Sequence, residues 1–304
     1  MNIVINIDKN YVGIASVMLY SLASNSSEHV TVYVLNDELD NEDFAELNKA
    51  LNEFKTFDLV DTKVDSSCFP ADTSTLTNRW SKTVFYRLLI SELLPKSVER
   101  VLYLDTDIIV DRDIQEMYHI DLGENYIAAC IDTEVSDLFD INRLNLNDAQ
   151  VYFNSGVILF DLKKIRDNNI MNFEIILDNL RTFGERFIFP DQDLLNVMYS
   201  GKVLIIEYRK YNFMCARSRE TSRLLRMHGK KAAIFHYGGE RWHRPWNVDY
   251  VGKFGDKFWK YALNTPYGSS ISRVRLANKC FKPFFIVSFD LKTLFNKIKD
   301  KIRR

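Results

Sequence analysis

Two carboxylates stand two residues apart in the segment VLYLDTDIIV, where Asp105 and Asp107 flank Thr106 and apolar runs lie on either side. Side chains at i and i+2 of an extended strand project to one face, so this spacing predicts a pair of carboxylates presented together where the strand leaves its sheet. Hard oxygen donors of this kind suit Mg²⁺ or Mn²⁺, which proteins hold through one or two carboxylates plus the phosphates of a substrate. An isolated DxD is a weak signal, because aspartates commonly end strands and cap helices. The long apolar approach LLPKSVERVLYL is what directs this pair to the mouth of a central strand.

His236 is the next candidate. It closes an apolar run in AIFHYGGERWHRPW and precedes Tyr237-Gly238-Gly239. Two carboxylates and one imidazole leave positions on a Mn²⁺-type ion for two phosphate oxygens, and the glycines expose backbone N–H groups that can face an anion. A lone histidine at a strand end is ordinarily a hydrogen-bonded structural residue, and only its coupling to the aspartates raises it above that. His29, His119, His228 and His243 have no comparable setting. Asp191-Gln192-Asp193 follows Pro190 and opens a helix, where acidic residues of the cap and first turn would suffice as an explanation. The functional alternative has Asp191 and Gln192 bonding sugar hydroxyls and facing an electron-poor carbon.

The elements that must position these residues alternate in type. NIVINI, a helical stretch over residues 13–24, HVTVYVLND, the amphipathic DNEDFAELNKALNEF and FDLVDT predict strand, helix, strand, helix, strand. That order implies right-handed crossovers and a parallel α/β sheet with ligands at the carboxyl ends of its strands, where Asp8 and Asn36-Asp37 also lie. TVFYRLLISELL predicts a helix over 83–94 ending before Pro95, and SVERVLYLDTDIIV the metal strand. YIAACIDTE and VYFNSGVILFDL read as further strands, the second interrupted by Asn154-Ser155-Gly156, whose glycine permits close backbone approach. A helix over 163–182, the FPDQDLLNVMYSG segment and the strand KVLIIE follow.

With 304 residues, 46% of them apolar and 13% aromatic, the chain can bury the core of one large domain or two modest ones. No run approaches the roughly 18 apolar residues of a membrane-spanning helix, and the start carries no basic leader or cleavage pattern, so a cytosolic protein is expected. Cys68, Cys130, Cys215 and Cys280 lie far apart without a paired spacing and read as reduced thiols. Charge is distributed unevenly: residues 271–304 carry a net +8 and the remainder −9, which disfavours nucleic-acid binding by the main body. Within 271–304, Leu291, Leu294, Phe295, Ile298 and Ile302 recur at helical spacing, with Lys292, Lys297, Lys299 and Lys301 on the other faces. Phe281, Phe284, Phe285, Val287 and Phe289 precede them, giving a basic, aromatic-rich tail that suits the inner face of an anionic bilayer as a peripheral anchor. The plainer reading is a helix docked on the domain with a solvated lysine face.

INIDKNY, TVFYRLLISELLP, VLYLDTDIIV, CID, VYFNSGV, DQDLLN and HYGG followed by RPW occur in this order over roughly residues 1–250. In these motifs the chain resembles glycosyltransferase family 8, retaining enzymes that include bacterial lipopolysaccharide galactosyl- and glucosyltransferases and, distantly, glycogenin. The resemblance implies an α/β GT-A fold, the Rossmann-like fold of nucleotide-diphospho-sugar transferases, with a mixed sheet flanked by helices over 1–250. Residues 251–304 would form a helical C-terminal extension bearing the basic amphipathic tail. The implied activity is Mn²⁺-dependent transfer of glucose or galactose from a UDP-sugar to a glycan, glycolipid or glycoprotein acceptor, with Mg²⁺ as the alternative ion.

By the same resemblance, Asp8, Asn10 and Tyr11 hold uracil and ribose, Tyr11 stacking on the base. Asp105, Asp107 and His236 ligate the ion, with Thr106 between them among the donor contacts. Arg87, Asn154, Asp191 and Gln192 surround the donor sugar, and Asp132 lies toward the acceptor or the sugar hydroxyls. Gly239 and Arg244 grip the diphosphate. Here the sequence departs from its relatives, which carry KPW closer to HYxG, whereas this chain has Arg244 after the insert ERWH; arginine still binds phosphate.

A sugar with a diphosphate leaving group needs no acid to protonate the departing oxygen, so no second catalytic carboxylate is required. Gln192 is the side chain the family places beneath the anomeric carbon, and a neutral amide is a poor nucleophile, which favours front-face attack over a glycosyl-enzyme. Two rivals remain. A haloacid-dehalogenase-type phosphatase also has a strand followed by DxD, but near its chain start and with a different continuation than Ile108-Ile109; a non-catalytic binder would keep the fold without turnover.

Overall fold

The computed structural model describes residues 1–65, 82–132, 141–146, 151–216 and 222–286. The alternation at the N-terminus forms as expected: β1 (Asn2–Asn6), α1 (Val12–Asn25), β2 (Val30–Asn36), α2 (Asn41–Leu51) and β3 (Phe57–Lys63). A reciprocal cap starts α2, where the Asp40 carboxylate accepts from the Asp43 backbone and the Asp43 carboxylate accepts from Asp40 N–H at 3.0 Å. The later strands are β4 (Arg100–Leu104), β5 (Ile108–Val110), β6 (Ile127–Ile131), β7 (Phe153–Asp161), β8 (Val203–Ile206), β9 (Phe213–Met214) and β10 (Ile234–His236).

Among the described residues, seven strands make one mixed sheet in the order β3-β2-β1-β4-β7-β6-β8. The first four are parallel, and β7 is antiparallel to both β4 and β6. Both faces are covered. Ile3, Ile5, Leu102 and Leu104 point into one core with residues of α1, while Val4, Val101, Tyr103 and Phe160 point into the other. This is why these strands read as unbroken apolar runs.

A second sheet, β5-β10-β9, corrects the expectation of one continuous metal strand. Leu104 ends β4 in the large sheet, residues 105–107 turn, and Ile108 begins β5 in the small one. The aspartates therefore converge at a turn between sheets rather than through the i, i+2 geometry of a strand. Two other expectations shift in detail. The helix expected over 83–94 runs to Leu93, as a 3₁₀ stretch (Lys82–Leu89) followed by a short α3 (Ile90–Leu93). The helix expected over 163–182 is two, α4 (Leu162–Asp167) and α5 (Phe173–Phe183), because Asn169 adopts φ 50° and Asn172 caps the second through Ile175 N–H.

Helix α6 (Pro190–Met198) packs on the large sheet, whereas α7 (Gly255–Ala262), followed by α8 (Pro266–Ser270), packs on the small one. Phe258, Trp259 and Ala262 of α7 share a core with Val17, Ile109, Phe235 and Tyr237. Gly13 of α1 has no room for a side chain, since a Cβ there would lie 2.1 Å from the Tyr267 ring. Residues 272–286 are helical, and Asn278 Nδ2 donates to the carbonyls of Val248 and Tyr250 at 3.0 and 2.7 Å. Cys130 and Cys215 are buried and Cys280 exposed, all free; Cys68 and the tail from Val287 onward lie outside the described residues.

Asp111, just past β5, ties the small sheet to α7 by accepting from Lys257 Nζ at 2.5 Å, Lys260 Nζ at 2.8 Å and Tyr261 OH at 2.7 Å. Burial alone would raise its pKa, but the bonds from Lys257, Lys260 and Tyr261 hold it below the usual 3.8. A depressed folded-state pKa contributes stability that is present above the unfolded value and lost as pH falls through the folded one. Asp111→Ala is accordingly expected to destabilise by about 1 kcal/mol at pH 7 after allowance for solvent screening. Urea titrations should show that deficit shrinking below about pH 4, where the wild-type carboxylate also takes up its proton.

Candidate active site

Both sheets contribute to the turn that carries the aspartates. Asp105 N–H donates to Gly156 O of β7 at 2.8 Å, and Tyr237 N–H, just after β10, donates to Asp107 O at 2.9 Å. Antiparallel pairing sets His236 opposite Ile108, next to Asp107. His236 Nε2 lies 3.2 Å from Asp107 Oδ1 and 3.8 Å from Asp105 Oδ2. All three donor atoms fall within 4.8 Å of one another.

The space between them is kept open by a missing side chain. A Cβ on Gly156 would sit 2.5 Å from Asp105 Oδ2 and 2.5 Å from His236 Cε1. Two carboxylates and one imidazole around such a space fit a hard or borderline divalent ion such as Mn²⁺ or Mg²⁺. In the protein alone the carboxylates act on the imidazole instead: burial lowers the His236 pKa, but Asp107 and Asp105 outweigh it and hold it above its ordinary value. Burial pushes Asp107 up while His236 and Arg244 bring it, on balance, below the usual carboxylate range.

Arg87 joins this cluster to a second one. Its Nη2 lies 3.0 Å from Asp105 Oδ1 and its Nη1 3.2 Å from Asp191 Oδ2, with the guanidinium stacked over Tyr103 at 4.5 Å. Burial works against its charge, but Asp105, Tyr103 and Asp191 hold the pKa above even the usual arginine value. Asp191 is raised by burial, an effect Arg87 opposes. Ser155 supports both partners, its hydroxyl donating to Asp191 Oδ2 at 3.2 Å and its carbonyl accepting from Arg87 at 3.1 Å.

Gln192 is fixed at both ends of its amide. Oε1 accepts from Ser155 N–H at 2.9 Å and Asn154 Nδ2 at 3.1 Å, and Nε2 donates to Asp132 Oδ2 at 3.2 Å. Helix α6 holds this residue against β7 through Asn196, whose side chain exchanges two 2.9 Å bonds with the Phe153 backbone in the manner of a strand partner. Asp193 is fully buried and accepts from Arg143 at 2.6 Å, Tyr152 OH at 2.6 Å and Phe189 N–H at 2.9 Å, which anchors the start of α6.

At the far end of the cluster, Asp8 caps a 3₁₀ turn (Lys9–Tyr11) by accepting from Asn10 N–H at 2.9 Å, and Asn10 itself is exposed. Arg244 Nη1 donates to Tyr11 OH at 2.9 Å and its Nη2 lies 3.9 Å from Asp107 Oδ2, so the longer insert still delivers a cation beside the aspartates. Gly239 has φ +96°, a backbone other residues rarely adopt. Thr106 is buried in the turn. Hydrogen bonds and ion pairs thus link Tyr11, Arg87, Asp105, Asp107, Asp132, Asn154, Asp191, Gln192, His236 and Arg244, and they add Tyr103, Ser155 and Asn212, to none of which the sequence assigned a role; Asn212 meets His236 Nδ1 at 2.8 Å. Tyr103 was legible two positions before Asp105, on the strand that leads into the turn; Asn212, in YNFM, carries no signal in sequence.

The sequence model of glycosyl transferase family 8 matches residues 2–249 of this chain. A lipopolysaccharide 1,2-glucosyltransferase of Escherichia coli K12 is 28% identical over 283 residues, 88% of this chain and 79% of that protein. A lipopolysaccharide 1,3-galactosyltransferase of Salmonella typhimurium is 26% identical over 277 residues, again 88% and 79%. The chain spans 63% of a Haemophilus influenzae putative glycosyltransferase at 27% identity. Among solved structures, an active-site mutant of LgtC superposes with TM-score 0.72 and 25% identity over 88% of this chain and 96% of that one. The mixed seven-stranded sheet is that of the GT-A fold.

Proposed function

We propose, on the premise that this chain belongs to glycosyl transferase family 8, that it is a retaining hexosyltransferase using UDP-glucose or UDP-galactose and a divalent cation, Mn²⁺ before Mg²⁺. One observation carries the reading: Asp105, Asp107 and His236 converge within 4.8 Å around a space that only glycine at 156 leaves open. These three residues would hold the ion, which when bound compensates the charge developing on the departing diphosphate.

The chain's own residues supply the rest. Arg244, between Tyr11 and Asp107, would meet a phosphate oxygen, and Gly239, with φ +96°, would offer its N–H to the same diphosphate. Asp8, Asn10 and Tyr11 make the nucleoside end, with Thr106 in the turn between them and the sugar. Arg87, Asn154, Asp191 and Gln192 form the sugar end, with Asp132 toward the acceptor. Arg87, 3.2 Å from Asp191, opposes the rise that burial imposes on that carboxyl and ties it to the sugar end of the site. The Gln192 amide is engaged at both its oxygen and its nitrogen, which makes it a fixed dipole rather than a nucleophile and favours front-face attack.

Release of UDP and free hexose from each UDP-sugar in Mn²⁺, without acceptor, tests this directly. Slow, cation-dependent release supports the transferase; no release with any donor would support a non-catalytic binder.

The proposed acceptor is a membrane glycolipid or a related glycan, reached by a chain that rests on the inner face of an anionic bilayer. No described helix is long and apolar enough to span a membrane. The helix over 272–286 does present Leu276, Phe281 and Phe284 at 65, 56 and 69% exposure, and its sequence carries Arg273, Arg275, Lys279 and Lys282. The 251–304 extension would thus be the anchoring unit. Binding to vesicles with 30% anionic lipid, measured by co-sedimentation, is expected to exceed binding to neutral vesicles by about tenfold or more, each surface lysine or arginine contributing about 1 kcal/mol. Serine at Phe281 and Phe284 together should lower it. Equal sedimentation with both vesicle types would remove this part of the proposal.

A further inference from the structure

We propose that Asn212 is a positioning residue that fixes His236 as the Nδ1–H tautomer and couples that imidazole to the sugar-side amides. The proposal rests on the functional reading above for the use of His236 Nε2 as an ion ligand. The chain of hydrogen bonds that carries it does not.

The argument is one of polarity. A side-chain amide can be turned end for end, so its own contacts rarely say which atom is oxygen. Backbone N–H groups remove that freedom, because they only donate. Gly156 N–H faces the Asn154 side chain at 3.0 Å, so the atom there must be Oδ1. Asn154 Oδ1 also meets Asn212 at 2.8 Å, so Asn212 must offer its Nδ2 there. Asn212 then has only Oδ1 left to face His236 Nδ1 at 2.8 Å, and an acceptor at that position requires a proton on Nδ1. Ser155 N–H fixes Gln192 in the same way at 2.9 Å, and Gln192 Oε1 in turn requires Nδ2 of Asn154, in agreement with the first assignment. Two main-chain donors thus set the direction of a relay running from Asp132 and Gln192 through Asn154 and Asn212 to His236.

With Nδ1 protonated, the lone pair of a neutral imidazole lies on Nε2, the atom that faces both aspartates. Asn212 and His236 are 2% and 3% exposed; Asn212 directly precedes β9, whose Phe213 and Met214 pair with Phe235 and His236 of β10. Partners of this kind orient a ligating ring, and their loss typically costs 10–100-fold in metal affinity.

Two variants separate the two ends of the relay. Asn212→Ala loses both contacts and is expected to weaken Mn²⁺ binding, read by the loss of free-ion electron paramagnetic resonance signal, by about 10–100-fold. Asn212→Asp keeps an acceptor for Nδ1–H but has no donor for Asn154; Mn²⁺ affinity should stay within about threefold while kcat falls at unchanged KM for the ion. Nitrogen-15 spectra of the metal-free protein, at alkaline pH where the imidazole is neutral, should show the Nδ1–H form of His236 in wild type and Asn212→Asp, and a mixture in Asn212→Ala. An Nε2–H tautomer in wild type, or Mn²⁺ affinity unchanged in Asn212→Ala, would overturn the proposal. Should Asn212→Ala fail to fold, the wild-type and Asn212→Asp spectra still decide it. If wild type binds no Mn²⁺ yet shows Nδ1–H, the functional reading fails and the relay stands.

Discussion

Exchange of Asp107 for asparagine is expected to lower UDP-sugar turnover by about 10³-fold with the fold intact. The substitution is nearly isosteric, and the backbone carbonyl that accepts from Tyr237 N–H at 2.9 Å is untouched, so the junction between the sheets has no reason to open. What disappears is charge. Asparagine offers a neutral oxygen where a carboxylate now faces His236 at 3.2 Å and Arg244 at 3.9 Å. The three proposed ligands would become two and a weak third, and Arg244 would lose its acidic neighbour while keeping its bond to Tyr11. Steady-state kinetics over a Mn²⁺ titration should show the loss mostly in kcat/KM, with circular dichroism and melting temperature close to wild type. Activity within tenfold of wild type would mean that Asp107 is no ligand.

Gly156→Ala should be nearly as damaging through one added methyl group. Its Cβ would stand 2.5 Å from Asp105 Oδ2 and 2.5 Å from His236 Cε1, distances that real contacts do not sustain, and a tight 3.1 Å from Asn154 Oδ1. The neighbours are the ends of side chains, so they can turn away at a stability cost of about 1–3 kcal/mol. Turning away is what the site cannot tolerate, since a displacement near 1 Å in a catalytic constellation costs about 10²-fold. The expected signature is a folded protein whose Mn²⁺ affinity and turnover both fall by about that factor. A comparable loss of stability without loss of ion binding would place the ion elsewhere.

Asp105, Asp107 and His236 were legible because chemistry that needs hard donors and an imidazole leaves those letters at strand ends, and strand ends are marked by apolar runs. The route by which they meet was not. VLYLDTDIIV reads as one strand because periodicity reports burial and not membership of a sheet, and only the pairing of β5 with β10 reveals that the chain changes layers between Leu104 and Ile108. The break at Asn168-Asn169 inside the helix expected over 163–182 did leave a signal, two adjacent asparagines suited to a left-handed turn and a third, Asn172, suited to a cap. Asn212 left none. Its importance follows from contacts with residues 24 and 58 positions away, and nothing in its neighbours' letters encodes them. Arg143 bonding Asp193 across 50 residues is of the same kind.

Calorimetric titration of UDP into the protein, with and without Mn²⁺, addresses the central claim most directly. If Asp105, Asp107 and His236 seat an ion that shares the diphosphate, UDP should bind the Mn²⁺-containing protein at least about tenfold more tightly than the metal-free protein, a coupling of about 1.4 kcal/mol or more. Asp107→Asn should abolish that gain. Equal affinity in both conditions, or a gain that survives Asp107→Asn, would contradict the account.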